Sequence, residues 1–165
     1  MTDPATQALV AELVFREARL LDERRWTDWL ALYCEDAVFW VPAFTMRGAY
    51  TESPDREINF IYIEGRAGLE DRVFRVEAGN SYASTPAPRT RHLVTAVMVD
   101  GEDERGVASF ANWQVVSFSA GRGREIRTGS YEYVLRRAGQ GLRIACKKVL
   151  LLEDVIDGYF DFYSV

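Results

Sequence analysis

The sequence predicts an α+β fold, and three observations predict it. Helical periodicity is confined to the first half of the 165 residues. The second half is a succession of long β-like stretches separated by short glycine-containing connectors, and helices segregated before such a sheet define the class. The composition, 48% hydrophobic and 27% charged, is that of a chain able to bury a core of its own, so a single domain over 1–165 is expected.

From Thr6 onward Leu9, Leu13, Arg16-Glu17, Leu20 and Leu21 recur on one helical face, with Glu12, Arg19 and Glu23 away from it. Trp26, Trp29 and Leu30 continue the pattern after a break, and Asp22 and Thr27-Asp28 offer turn or cap oxygens. Two helices, about 5–23 and 27–33, therefore meet at a corner. Val38-Phe39-Trp40-Val41 is too β-branched, aromatic and short for a helix, and Pro42 ends the strand. Ile58 to Ile63 reads as a short strand or an apolar connector. Leu69, Val73 and Val76 mark a third amphipathic helix over about 66–78, stopped by Gly79-Asn80. Ser84-Thr85-Pro86-Ala87-Pro88 is a connector. Strands are then expected over 90–99, 106–119, 125–137 and 142–155, joined as antiparallel hairpins. Small residues inside these strands, Ala108, Ser109, Ala111 and Ser130, suggest strong curvature. Such a sheet would wrap the helices as a cone with a pocket inside.

The available chemistry is limited by one histidine, His92, and two distant cysteines, Cys34 and Cys146. A Rieske cluster needs two of each, and a mononuclear oxygenase iron needs a pair of histidines with a carboxylate. This chain can supply neither, and both cysteines read as small core residues. The net charge of -5 and the mixing of arginines with acids argue against a nucleic-acid footprint. No apolar run approaches a membrane span, and the first residues do not read as a secretory signal, so a cytoplasmic location is expected. Gly121-Arg122-Gly123 lies between strands and reads as a hairpin turn, not a phosphate loop.

What remains is metal-free acid/base chemistry in a pocket. The candidates are His92 at the head of a strand, Asp36 ahead of the first strand, Tyr62, Tyr82 and Tyr131. For His92 the preferred reading is a buried histidine bonded to backbone or to a neighbouring carboxylate. Asp36 is read as a turn or cap residue. Lys148 interrupts the apolar alternation Leu142, Ile144, Cys146, Leu150, Leu152 and is read as snorkelling or pairing with an acid across an interface. The ending Tyr159-Phe160-Asp161-Phe162-Tyr163-Ser164-Val165 is too apolar to trail in water and must pack, on its own sheet or on a partner.

Taken together, Glu17-Ala18-Arg19-Leu20-Leu21-Asp22 with Trp26, Trp29 and Tyr33, then Asp36 to Ala43, Gly68 to Arg75, Arg89-Thr90-Arg91-His92 and Lys147-Lys148-Val149 resemble the small (β) subunit of aromatic-ring-hydroxylating dioxygenases. Thr51-Glu52-x-Pro54, Ser84-Thr85-Pro86 and Asp161-x-Tyr163-x-Val165 are similar to its benzoate, toluate, anthranilate and halobenzoate branch. Ala96, where many relatives have Asn, and Gly65, where an acid-rich turn is common, depart from it. The resemblance implies a cystatin-like, nuclear-transport-factor-2-like cone with no cofactor and no catalytic residue of its own. It also implies an α-subunit partner carrying a Rieske [2Fe-2S] centre and a mononuclear Fe(II), usually as an α3β3 hexamer with possible β–β contacts, fed with electrons from NADH through a reductase. The implied reaction is cis-dihydroxylation of an aromatic carboxylate such as benzoate in that partner. The alternative expectation is an autonomous, cofactor-free dehydratase, isomerase or cyclase of the same fold, using His92 as acid/base with Asp36 or Tyr62.

Overall fold

The computed structural model describes residues 3–81 and 84–165, so Tyr82 lies outside the described residues. Helix α1 (Pro4–Asp22) starts where the Asp3 carboxylate accepts from the amides of Ala5 and Thr6, with proline in the first turn, where no amide is missed. Its buried face is Val10, Leu13, Val14, Glu17, Leu20 and Leu21. Arg24 takes a positive φ of 54°, turning the chain sharply into α2 (Trp26–Leu30). The third helix, α3, is Arg66–Glu77, preceded by Gly65 at φ 79°. Positive φ is a conformation that glycine adopts without steric cost.

The strands are β1 (Tyr33–Pro42), β2 (Asn59–Glu64), β3 (Arg89–Asp103), β4 (Gly106–Ser119), β5 (Gly123–Ala138) and β6 (Gly141–Leu151). They form one sheet in the order β2-β1-β6-β5-β4-β3. Strand β1 begins earlier than the sequence suggests, so Cys34 and Asp36 lie within it, not at a helix end or in a turn. The consecutive strands from β3 to β6 are antiparallel, as short connectors require, but β1 and β6 pair in parallel. Helix α3 and the strands β2 to β5 separate those two in sequence, so no hairpin dictates their direction, and the sheet is mixed.

Register shifts interrupt several of the strand pairs, those in β3 and β6 among them. In β3 the register shifts between Thr95 and Met98, with Ala96 at φ 51°. Alanine seldom adopts that conformation, so the backbone is strained at this point of the strand. In β6, Leu135 pairs with Ile144 whereas Val134 pairs with Cys146, leaving Ala145 as an extra residue. At Gly129 a Cβ would fall 1.9 Å from the Leu150 carbonyl oxygen, so only glycine allows β5 and β6 this approach.

The helices fill the concave face. The C-terminal residues close it: Phe162 stacks on Trp29 at 4.8 Å between centroids and meets Trp26 edge-on at 5.5 Å. Asp161 caps the final turn and accepts from Arg72 at 2.9 Å, and Tyr163 shares a 2.7 Å hydrogen bond with Ser84. Of the aromatic ending, Asp161 to Val165 are thus buried in the chain's own core, with Phe160 partly buried and Tyr159 exposed. Phe162→Ala is expected to cost about 3–5 kcal/mol, read as a lowered urea midpoint without a change of slope.

Candidate functional site

The interior of the cone is organised around one carboxylate. Glu17 is brought inward because it sits at i+4 from Leu13 and i−3 from Leu20 on the apolar stripe of α1. Its Oε1 lies 3.0 Å from Lys147 Nζ and accepts from Tyr33 Oη, at 2.5 Å, and from Trp29 Nε1, at 3.4 Å. Its Oε2 accepts from Tyr133 Oη at 2.8 Å. Both charged side chains are buried, at 1% and 2% exposure. Burial alone would raise the Glu17 carboxyl, but Lys147 and the tyrosine hydroxyls hold it below its ordinary value. Burial pulls the Lys147 ammonium down against the opposing pull of Glu17. The ammonium also lies 4.1 Å above the ring of Tyr131, which stacks on Trp113.

A second buried pair lies where α1 ends. His92 Nδ1 is 2.6 Å from Asp22 Oδ1, and the same carboxylate accepts from the His92 amide and the Thr90 hydroxyl. Burial pushes Asp22 up, and these bonds pull it further down, below its ordinary value. Asp22 is therefore the partner of the lone histidine, beyond any role as a turn oxygen. His92 Nε2 is buried with no hydrogen-bond partner among the described residues.

The other candidates are elsewhere. Asp36 is exposed and holds Arg136 with both oxygens at 2.8 Å. Tyr62 donates to Glu64 at 2.8 Å. Both lie on β1 and β2, at the opposite sheet edge from His92 on β3, so His92, Asp36 and Tyr62 do not assemble. Tyr131 is in the core, its phenol pushed up by burial. Lys148 faces outward, over the Trp40 ring at 4.7 Å and 3.5 Å from Glu132. The bulge at Ala145 explains this, because one extra residue exchanges the faces and sends Lys147 inward. Cys34 and Cys146 are free, half-buried thiols, both pushed up by burial. Among the described residues, no three or more His, Cys, Asp or Glu side chains gather where they could hold a metal ion. Nor is any described helix long and apolar enough to cross a membrane.

Residues 16–158 match the family described as Ring hydroxylating beta subunit. The chain belongs to the ring-hydroxylating dioxygenase β-subunit family. This β subunit is 38% identical over 156 residues to the small subunit of 2-halobenzoate 1,2-dioxygenase from Burkholderia cepacia, covering 94% of each chain. It is 35% identical to the β subunit of benzoate 1,2-dioxygenase from Acinetobacter baylyi, covering 94% of this chain and 92% of that one. The crystal structure of a benzoate 1,2-dioxygenase β subunit from Burkholderia mallei superposes with a TM-score of 0.76 at 32% identity, over 100% and 99% of the two chains. The nuclear-transport-factor-2-like cone is thus the fold of this β subunit.

Replacing Glu17 by Gln leaves the Lys147 ammonium buried without its counter-charge. A loss of about 3–5 kcal/mol is expected in urea unfolding. Because the native carboxyls of Glu17 and Asp22 titrate below their ordinary values of 4.5 and 3.8, their stabilisation is complete above those values and lost as pH falls through the native ones. Stability measured from pH 6 downward should therefore fall in acid, and less steeply in the Glu17→Gln variant.

Proposed function

We propose that this β subunit is a non-catalytic assembly component of a terminal oxygenase that dihydroxylates an aromatic carboxylate, benzoate or a close relative. The observation that carries this reading is the filled cone. The interior in which a pocket would sit is taken up by the Glu17–Lys147 pair, its tyrosine and tryptophan donors and the C-terminal aromatics. A carboxylate that already accepts from Lys147, Tyr33, Trp29 and Tyr133 is not free to serve as a general base.

On this reading the Rieske [2Fe-2S] centre and the mononuclear Fe(II) belong to the α subunit, with NADH acting through a separate reductase. The β subunit stabilises the α assembly as an α3β3 hexamer in the cytoplasm. The aromatic carboxylate is suggested by the 2-halobenzoate and benzoate relatives.

A second reading, an autonomous dehydratase, isomerase or cyclase, draws on the Asp22–His92 pair. An imidazole oriented by a carboxylate, with its other nitrogen unpartnered, is the arrangement of a general base. Against it, the imidazole is wholly buried, and Asp36 and Tyr62 stand at the other edge of the sheet.

One substitution separates the readings. His92→Ala in the co-expressed α/β oxygenase should leave benzoate turnover per iron within about twofold of wild type. It should lower the β subunit's stability by about 2–3 kcal/mol, through the cavity and the orphaned Asp22 carboxylate. The isolated β subunit should be colourless and inactive. An isolated chain that turns over a hydroxylated substrate, and loses that activity on His92→Ala while remaining folded, would establish the second reading instead.

A further inference from the structure

Beside the C-terminal turn that closes the cone is a hollow of about 290 Å³. Its apolar walls are Leu21 and Trp26, where α1 passes into α2, Val76 near the end of α3, and Pro88 on the connector into β3. Ser84 and Tyr163 also line it, both buried, and their hydroxyls share a 2.7 Å hydrogen bond. That bond uses one hydroxyl proton. The other is left to donate, and no acceptor among the described residues takes it.

Two charged side chains complete the lining, Arg24 and Glu77, both exposed and neither in an ion pair among the described residues. Arg24 donates to the Pro88 carbonyl, which leaves the rest of its guanidinium fork available to an anion. Burial pushes the Tyr163 phenol above its ordinary value, against the pull of the Ser84 hydrogen bond and of the Arg122 and Arg24 guanidinium groups. The positive potential of both arginines therefore reaches the hydroxyl pair. Two further carboxylates at this end are engaged, Asp22 by His92 and Thr90 and Asp161 by Arg72 and Ser81. Arg24 also borders a neighbouring hollow lined by Arg89 and Arg91, so Glu77 is outweighed by the cations around it.

We propose that this hollow binds a small organic monocarboxylate with an apolar body. The carboxylate takes Arg24 and the spare proton of the Ser84–Tyr163 pair, and the body lies against Trp26, Val76 and Pro88. Apolar walls with a few convergent polar groups are the usual form of a small-molecule site, and a guanidinium fork matches the two oxygens of a carboxylate. An inorganic anion would satisfy the donors and leave the walls wet. A neutral apolar molecule would leave the donors unused. The site is distinct from the Glu17–Lys147 core, whose carboxylate already has four donors, and it holds whether or not the chain serves as an assembly subunit.

Titration of the full chain at constant ionic strength, followed by amide and indole N–H resonances in two-dimensional NMR, tests it. Benzoate is the probe, benzamide its neutral isostere, and inorganic phosphate an anion without an apolar body. Benzoate should shift the indole resonance of Trp26 and leave that of Trp113 in place, and benzamide and phosphate should each bind at least about tenfold more weakly. Arg24→Gln should weaken benzoate binding about tenfold, and Glu77→Gln, which removes the opposing charge, should strengthen it about twofold. Should Arg24→Gln fail to fold in a urea check, Glu77→Gln, at an exposed position, still decides. No shift of Trp26 at millimolar benzoate overturns the proposal. So does benzamide or phosphate binding as tightly as benzoate, a folded Arg24→Gln variant that binds like wild type, or a Glu77→Gln variant that binds no more tightly.

Discussion

A carboxylate on the first helix and an ammonium on the last strand, 130 residues apart, meet 3.0 Å from each other in a core that excludes water from both. Leaving either charge alone there is costly, so folding must deliver both together. Glu17 faces inward only at one rotation of α1, and Lys147 only because β6 carries the extra residue at Ala145. Tyr33 on β1, Tyr133 on β5 and Trp29 on α2 then aim their donors at the same carboxylate. Helix rotation, strand register and bulge are fixed by one constraint.

That constraint also governs what the cone can do. A curved sheet wrapped round helices has an interior that could house a reaction, and here it is closed from two directions. The ion pair and its donors fill the middle, and Phe162 and Tyr163 lie against Trp26 from the C-terminal end. Buried polar groups that satisfy one another cannot also turn to meet a substrate. The outward features are of a different kind: exposed aliphatics and aromatics such as Leu93, Phe118, Ile126 and Val155.

The parts of this arrangement that follow from local pattern were legible in the sequence. The apolar stripe of α1, the corner before Trp26, the third helix and the hairpin strands follow from periodicity and turn residues, although α2 stops at Leu30 where 33 was expected and β6 stops at Leu151 where 155 was expected. The misreadings share a cause. Lys148 was expected on the apolar side because strict alternation was carried through β6, and one bulged residue reversed it. The parallel pairing of β1 with β6 leaves no mark on either strand. His92 was readable as a buried histidine bonded to a carboxylate, but that the carboxylate is Asp22, 70 residues away, depends on tertiary structure. Glu17 was visible on the apolar stripe; what made it informative was Lys147 opposite, which no local signal announces. The aromatic ending had to pack somewhere, and only the fold decides that it packs at home.

The open edge of the sheet is guarded by the first helix. Strand β3 is an edge strand, and exposed edges invite another strand to pair. Here α1 occupies part of the available bonding. The Gln7 side-chain amide donates to the Val97 carbonyl and accepts from the Val99 amide, filling one rung as a neighbouring strand would. Further along, Asp22 accepts from the His92 amide and ring. The helix is stitched along the edge from near its first turn to its last residue, and the register shift at Ala96 bends the strand between the stitches. Edge-to-edge addition of another strand is thereby obstructed.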